Sequence, residues 1–198
     1  MIFYDENNNL VDDKIEATEQ LLVNDYIKAD DVVLELGARY GTVSCRINDK
    51  LNNRYNQVSV EPDERVWNAL EQNKKNNNCK FHILKGFICS KKLNLYNTHT
   101  GGGSTFIEDN NSNIQSFTME NVENKYNLKF NVLVADCEGF LETFFDENPQ
   151  FYKNSRLIIY EIDYREKCNY QKIRDELFRN GFRLIKRYKQ KHCAWIKK

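Results

Sequence analysis

Glu35-Leu36-Gly37-Ala38-Arg39-Tyr40-Gly41 places two glycines four residues apart directly after the apolar run Val32-Val33-Leu34. Glycine at such a turn lets the main chain bend tightly and approach a ligand closely. In open α/β sheets such ligands lie beyond the carboxyl ends of the strands, near the point where strand order reverses, so a nucleotide-like ligand is expected here. Arg39 stands where the dinucleotide fingerprint GxGxxG has its second glycine, and its side chain would crowd a pyrophosphate, which argues against NAD or FAD. No GK[ST] follows, so a Walker-type phosphate loop is excluded as well. About 20 positions on, Val58-Ser59-Val60-Glu61-Pro62 ends a second strand in an acid, where a carboxylate can take ribose hydroxyls. Lys85-Gly86-Phe87 follows a third strand, at the level where an adenine ring needs an apolar wall and main-chain hydrogen bonds.

A second set of acids closes later strands. Asp136 and Glu138 follow Phe130–Ala135, and in an extended segment residues two apart point to the same side, so both are expected to face the site. Glu161 and Asp163 end the adjacent strand. A divalent cation held by Asp136, Glu161 and Asp163 would suit the preference of hard cations for carboxylate oxygens, although the same acids could equally bind substrate hydroxyls or cap helices. Of three histidines, His82 and His192 fall inside strands and His99 lies beside Gly101-Gly102-Gly103-Ser104-Thr105, which makes His99 the one placed for substrate contact. Tyr40, Trp67, Phe106, Tyr164 and Trp195 could stack on a sugar, but in a chain with 13% aromatic residues such side chains mostly fill the core.

The elements that must position these residues alternate. Val32–Leu36, Gln57–Val60, Phe81–Leu84, Phe130–Ala135 and Arg156–Tyr160 read as strands. Apolar positions at helical spacing follow them: Val43, Ile47 and Leu51; Val66 to Leu70; Phe140 to Phe145, closed before Pro149; and Ile173, Leu177 and Phe178, ended by Gly181. Strand and helix in alternation mean a parallel α/β sheet. An N-terminal helix is expected over residues 12–27, the stretch 89–115 reads as a loop with a short strand near Leu93–Tyr96, and Phe182–Lys186 and His192–Ile196 finish the chain as strands.

The chain has 198 residues, enough for one domain with a sizeable core and too few for two, so residues 1–198 are expected to form a single unit, 1–30 as a helical lead-in and 31–198 as the sheet core. With 29 basic and 29 acidic residues there is no global cationic field for nucleic acid or anionic membrane. The basic run over 183–198 (Arg183, Lys186, Arg187, Lys189, Lys191, Lys197, Lys198), with Phe182, Tyr188 and Trp195 among it, is either an RNA surface or the solvated face of a terminal hairpin. Six scattered cysteines without a CxxC pair suggest free thiols in a reducing compartment, and no apolar run approaches the ~20 residues that span a bilayer, so a cytoplasmic, membrane-free protein is expected.

Taken together, ELGARYG (Glu35 to Gly41) and VEP (Val60 to Pro62) resemble the first two motifs of class I S-adenosylmethionine-dependent methyltransferases. More specifically, Val132-Leu133-Val134-Ala135-Asp136-Cys137-Glu138-Gly139, followed by Leu157-Ile158-Ile159-Tyr160-Glu161, is similar to the IDVEG and following E segments of the FkbM family of sugar and small-molecule O-methyltransferases. The glycine-serine segment 101–105 and Ser116-Phe117-Thr118 share the likeness, which spans about residues 31–163. Val134 stands where the family has a lysine, and Leu141, followed by Glu142, where it has a second acid. The resemblance implies a Rossmann-like fold: a mostly parallel seven-stranded sheet with an antiparallel last strand and helices on both faces.

It also implies S-adenosylmethionine as cofactor, bound by Glu35, Gly37, Ala38, Tyr40, Gly41, Glu61, Pro62, Gly86, Phe87 and Asp136. Asp136 would lie near the sulfonium and amino group, and Glu138 or Asp136 would accept the acceptor's proton. His99, Ser104, Glu161 and Asp163 are the expected substrate contacts, and a divalent metal is left open. The implied acceptor is a saccharide or glycan hydroxyl, such as a terminal rhamnose, with the chain possible as part of a larger glycan-modifying polypeptide. An RNA ribose 2'-O-methyltransferase and a catalytically silent binding module are the alternatives.

Overall fold

A computed structural model describes residues 1–97 and 104–198. In chain order the elements are β1 (Phe3–Tyr4), β2 (Leu10–Val11), α1 (Ala17–Tyr26), β3 (Val33–Leu36), α2 (Thr42–Lys50), β4 (Gln57–Glu61), α3 (Trp67–Asn76), β5 (His82–Lys85), β6 (Phe87–Ile88), β7 (Leu93–Asn97), β8 (Ser104–Glu108) and β9 (Ser116–Phe117). They continue with α4 (Met119–Tyr126), β10 (Val132–Ala135), α5 (Leu141–Glu147), α6 (Gln150–Asn154), β11 (Leu157–Glu161), α7 (Tyr170–Arg179), β12 (Phe182–Tyr188) and β13 (His192–Lys197). Seven strands form one sheet in the order β12-β13-β11-β10-β3-β4-β5. β11, β10, β3, β4 and β5 run parallel, and β13, the last strand, pairs antiparallel with both β11 and β12.

Side chains alternate across a strand, so each strand feeds two cores. Leu34, Leu36, Val58, Val60, Leu133, Ala135, Ile158 and Tyr160 face the layer built by α4, α5, α6 and α7. Val33, Val132, Val134, Leu157 and Ile159 face Leu22, Val23 and Ile27 of the α1 segment and Val43, Ile47 and Leu51 of the α2 segment. β3, β4, β10 and β11 are buried on both faces, which is why β10 and β11 read as near-continuous apolar runs, while the edge strand β5 is half-buried.

The chain departs from β3 toward β4 on one side, while β10 pairs on the other. At this parting Gly37 has φ +89°, and a Cβ there would lie 1.7 Å from the carbonyl oxygen of Asp136. The two strand ends close on each other because position 37 carries no side chain. Main-chain bonds secure the contact: Asp136 N–H donates to the Leu36 carbonyl (3.0 Å), and the N–H groups of Gly37 and Ala38 donate to the Val60 carbonyl (3.0 and 3.1 Å).

Several local expectations are corrected. The first 30 residues hold the antiparallel hairpin β1-β2 as well as a helix, which begins at Ala17 and not at residue 12. The stretch 89–115 contains β7 and β8, an antiparallel pair with Leu95 opposite Phe106. α4 starts at a capping box in which the Thr118 hydroxyl accepts from the Asn121 N–H and the Asn121 side chain accepts from the Thr118 N–H. Phe178 points outward, 60% exposed, and meets the edge of buried Trp195. No helix among the described residues is long and apolar enough to cross a membrane.

Gly37→Ala is expected to cost at least about 3 kcal/mol in chemical denaturation, from overlap added to left-handed strain. Gly181 has φ +83° with nothing near its Cβ position. Gly181→Ala should therefore cost only about 1 to 2 kcal/mol. Equal costs would contradict the close approach of β3 and β10.

Candidate functional site

A cavity of about 430 Å³ opens beyond the carboxyl ends of β3, β4 and β10, within the size range of small-molecule sites. Of the residues expected to hold a cofactor, Gly37, Tyr40, Glu61, Pro62, Gly86, Phe87 and Asp136 line it. Glu138 and Ser104 line it too.

One end is built around Glu61. Its carboxylate accepts the Arg39 N–H at 2.6 Å and the Asp63 N–H at 2.8 Å, which fixes the carboxylate between the glycine turn and the start of α3. Burial pushes the Glu61 carboxyl up to about 7, against the pull of those two N–H groups. Arg39 itself sits at φ +45°, with its guanidinium 4.9 Å from the Tyr40 ring, so an arginine is accommodated at the second-glycine position. Pro62, Val66, Phe87 and Ile88 supply apolar wall. Gly86 (φ +142°) permits the wall's close packing, since a Cβ would lie 2.2 Å from the Gln115 carbonyl oxygen. Trp67 donates its indole N–H to the Glu61 carbonyl at 2.8 Å, which makes it a brace for this end.

The other end is acidic. Asp136, Cys137, Glu138 and Glu16 converge there with Gly37 and Arg39. The Asp136 carboxyl is held well above its usual range by burial and then by the nearby charges of Glu161, Glu19, Glu16 and Glu138. Glu138 is raised to about 7 by burial and by Asp163 and Glu161, with Arg39 and Lys191 opposing. The two acids share the cavity, but not through an extended backbone. Glu138 (φ +51°) and Gly139 (φ +87°) form a left-handed turn directly after the strand. Asp163 holds that turn by accepting the main-chain N–H groups of Glu138 and Gly139, and the Tyr170 hydroxyl bonds to the same carboxylate. On the far side, Thr105 of β8 donates its hydroxyl to the Glu138 carbonyl at 2.9 Å.

Other expected residues stand elsewhere. Glu35 points from β3 to the opposite face, where one carboxylate oxygen accepts the Ser44 hydroxyl (2.6 Å) and the Gln57 amide (3.4 Å) and the other is buried without a partner. Ala38 packs with Phe3, Cys45, Leu70 and Phe81, and Gly41 abuts Leu70 and opens α2, so both shape the turn without lining the cavity. Glu161 pairs with His192 and Lys191, and neither it nor Asp163 lines the cavity; Asp163 acts through Glu138 as a positioning residue. With Asp163 committed to the turn and Tyr170, the trio Asp136, Glu161 and Asp163 does not assemble as a cation site. His99 lies outside the described residues. Leu141 is buried, and Glu142 turns away to Asn169 and Lys172.

Sequence reasoning missed Glu6, Glu16, Arg39 as a wall residue, Asp63 and Arg65. Glu6 enters on the β1-β2 hairpin, where it accepts from the Tyr40 hydroxyl at 2.6 Å. Arg65 donates to Ser104 at 2.8 Å across the mouth and is ion-paired with Asp63. None of the cations of the run 183–198 lines the cavity; Arg183, Lys186 and Arg187 lie exposed on β12.

No family model and no curated protein matches the sequence. Solved structures do match in fold. The chain is similar to a ribosomal protein L11 methylase from Lactobacillus delbrueckii subsp. bulgaricus, at 15% identity and TM-score 0.55, over 92% of this chain and 78% of that one. It is similar to a precorrin-6y C5,15-methyltransferase from Geobacter metallireducens GS-15, at 11% identity and TM-score 0.58, over 93% and 88%. A methyltransferase from Pyrococcus furiosus matches at 13% identity and TM-score 0.51, over 91% and 81%. The fold is the Rossmann-like class I methyltransferase fold.

Burial lifts the Glu35 carboxyl from 4.5 to about 7, with the Ser44 hydroxyl bond opposing. Between those values the folded state binds more protons than the unfolded one, so stability falls as pH rises through the window. Glu35→Gln removes this dependence. The variant's melting temperature relative to the parent is expected to be several degrees higher at pH 8 than at pH 5, measured by calorimetry; a difference independent of pH would contradict the raised carboxyl.

Proposed function

We propose that the protein is an S-adenosylmethionine-dependent O-methyltransferase acting on a sugar hydroxyl, with a terminal deoxyhexose such as rhamnose on a glycan as acceptor. The observation that carries this reading is Glu138, a carboxylate poised at about 7 in the wall of a cavity that also holds Glu61. A hydroxyl acceptor needs its proton removed as the new bond forms, and a base acts best when its pKa lies near the working pH.

The residues present fit the cofactor. Glu61 offers carboxylate oxygens to a ribose diol, Pro62, Val66, Phe87 and Ile88 offer apolar surface to an adenine, and Gly37 lets the main chain approach the ligand. The Asp136 carboxylate, buried among other acids, lines this end of the cavity with Glu16, and together they suit an ammonium and a sulfonium. When bound, S-adenosylmethionine supplies an electrophilic methyl group. The chain's own contribution is to orient and to take a proton: Glu138 receives the acceptor's hydroxyl proton at a carboxylate oxygen, and Asp163 keeps the Glu138 turn in place. Leu95, Phe106 and Phe140 lie along the same cavity, with the two phenyl rings edge-to-face at 5.2 Å. Such a surface suits the apolar face and methyl group of a deoxy sugar.

The test is methyl transfer from labelled S-adenosylmethionine to rhamnose-capped glycans. Activity is expected to rise through pH 7 as Glu138 ionises, and Glu138→Gln should lower kcat by about 10² to 10⁴. Affinity for S-adenosylhomocysteine should stay within about twofold of the parent. Full turnover by Glu138→Gln would remove the base from this reading. Absence of transfer to any glycan, with the cofactor bound, would favour the silent binding module.

A further inference from the structure

Behind the cavity, on the α1 face of the sheet, Glu19, Glu161 and His192 converge. Strand register sets two of them: Glu161 of β11 lies directly opposite His192 of β13, so their side chains share a face. Glu19 comes down from α1, which packs across both strands. One carboxylate oxygen of Glu161 lies 3.2 Å from His192 Nε2, and Glu19 Oε1 approaches the same nitrogen. The ligand atoms of all three lie within 4.8 Å of one another.

This arrangement asks a great deal of one imidazole nitrogen. Nε2 carries at most one hydrogen, yet two carboxylates point at it. Glu19 is 4% exposed, and the contact its Oε1 makes in the cluster is with that same nitrogen, which Glu161 also approaches. The surroundings add more negative charge, since Glu16 and Asp136 lie close enough to act on Glu19 and Glu161. Lys191 lies 3.6 Å from the other oxygen of Glu161, and Arg39 acts on the neighbouring Glu16.

We infer that Glu19, Glu161 and His192 form a binding site for a divalent first-row transition metal, held by two carboxylate oxygens and one imidazole nitrogen with its remaining positions open to water. Mixed nitrogen and oxygen donors suit manganese(II), iron(II) or zinc(II) better than calcium or magnesium, which favour oxygen alone. Such an ion reaches its ligands at about 2.0–2.2 Å, so small side-chain shifts bring the three donors onto it. A bound ion satisfies both carboxylates at once and ties α1 to β11 and β13. The site shares Glu161 with the Asp136, Glu161 and Asp163 set considered from sequence but takes its other two ligands, Glu19 and His192, from α1 and β13, and it does not depend on methyl transfer.

Manganese(II) is the probe, because the six thiols of the chain compete less for it than for zinc. The full chain, stripped with chelator, is titrated with manganese(II) and the free ion is followed by electron paramagnetic resonance. One ion per chain is expected, with affinity at least tenfold weaker in Glu19→Gln and in His192→Gln and unchanged in Glu142→Gln, a surface control on α5. In the unmodified protein, substoichiometric manganese(II) should broaden the imidazole proton signals of His192 and spare those of His82. No saturable binding at millimolar ion overturns the site. Equal broadening of both histidines does the same, and so does unchanged affinity in folded Glu19→Gln and His192→Gln. In any of those cases the cluster is an imidazolium clamped by two carboxylates.

Discussion

The contact between Gly37 and the Asp136 carbonyl is the constraint on which the rest of the site depends. Two parallel strands leave the sheet there in different directions, and the gap between their departing chains is where an open α/β sheet can admit a ligand. A side chain at position 37 would push β3 and β10 apart by the width of a methyl group. Because the main chains touch, Asp136 lies beside the glycine turn, and the turn in its path to α2 brings the Arg39 N–H to Glu61. One backbone approach therefore fixes both ends of the cavity.

Charge is the second organising feature. Carboxylates gather at the ends of β3, β4, β10 and β11 with few cations among them, and burial lifts several of them toward neutrality. Such crowding opposes stability unless something positive enters, so it is informative about function. The structure restrains these acids with main-chain N–H groups: two on Glu61, and two on Asp163, which in turn sets the left-handed turn of Glu138. Behind them Glu19 and Glu161 share His192. The cavity and the cluster behind it have the same electrostatic demand, for positive charge among buried carboxylates.

Much of the frame is legible in the sequence because it rests on local pattern. β10 and β11 are runs of branched apolar residues, β3 and β4 alternate such residues with buried polar ones, and Gly37, Gly41 and Gly181 punctuate the chain where it must turn. Glu61 follows from its register with the glycine turn, and Asp136 from its place after an apolar strand. The pattern could not show which face a polar residue takes. Glu35 shares a strand with Leu34 and Leu36, and only the sheet's pleat sends it to Ser44 and Gln57 on the far side. Nor does spacing reveal partners distant in sequence: Glu6 reaches Tyr40 across 34 positions, and Arg65 reaches Ser104 across 39. α4 did leave a signal, since Thr118 and Asn121 form a capping box ahead of Val122 and Tyr126. His192 reads as an ordinary strand residue until antiparallel pairing puts it opposite Glu161.

The central claim is that this cavity holds an S-adenosyl ligand through Glu61. Calorimetric titration with S-adenosylhomocysteine, with NADH as control ligand and Glu61→Ala alongside the parent, tests it most directly. The account predicts saturable binding of S-adenosylhomocysteine alone, weakened in folded Glu61→Ala by about 1 to 3 kcal/mol, the cost of losing hydrogen bonds to a charged group. Binding of neither ligand, or equal affinity in the variant, would contradict it.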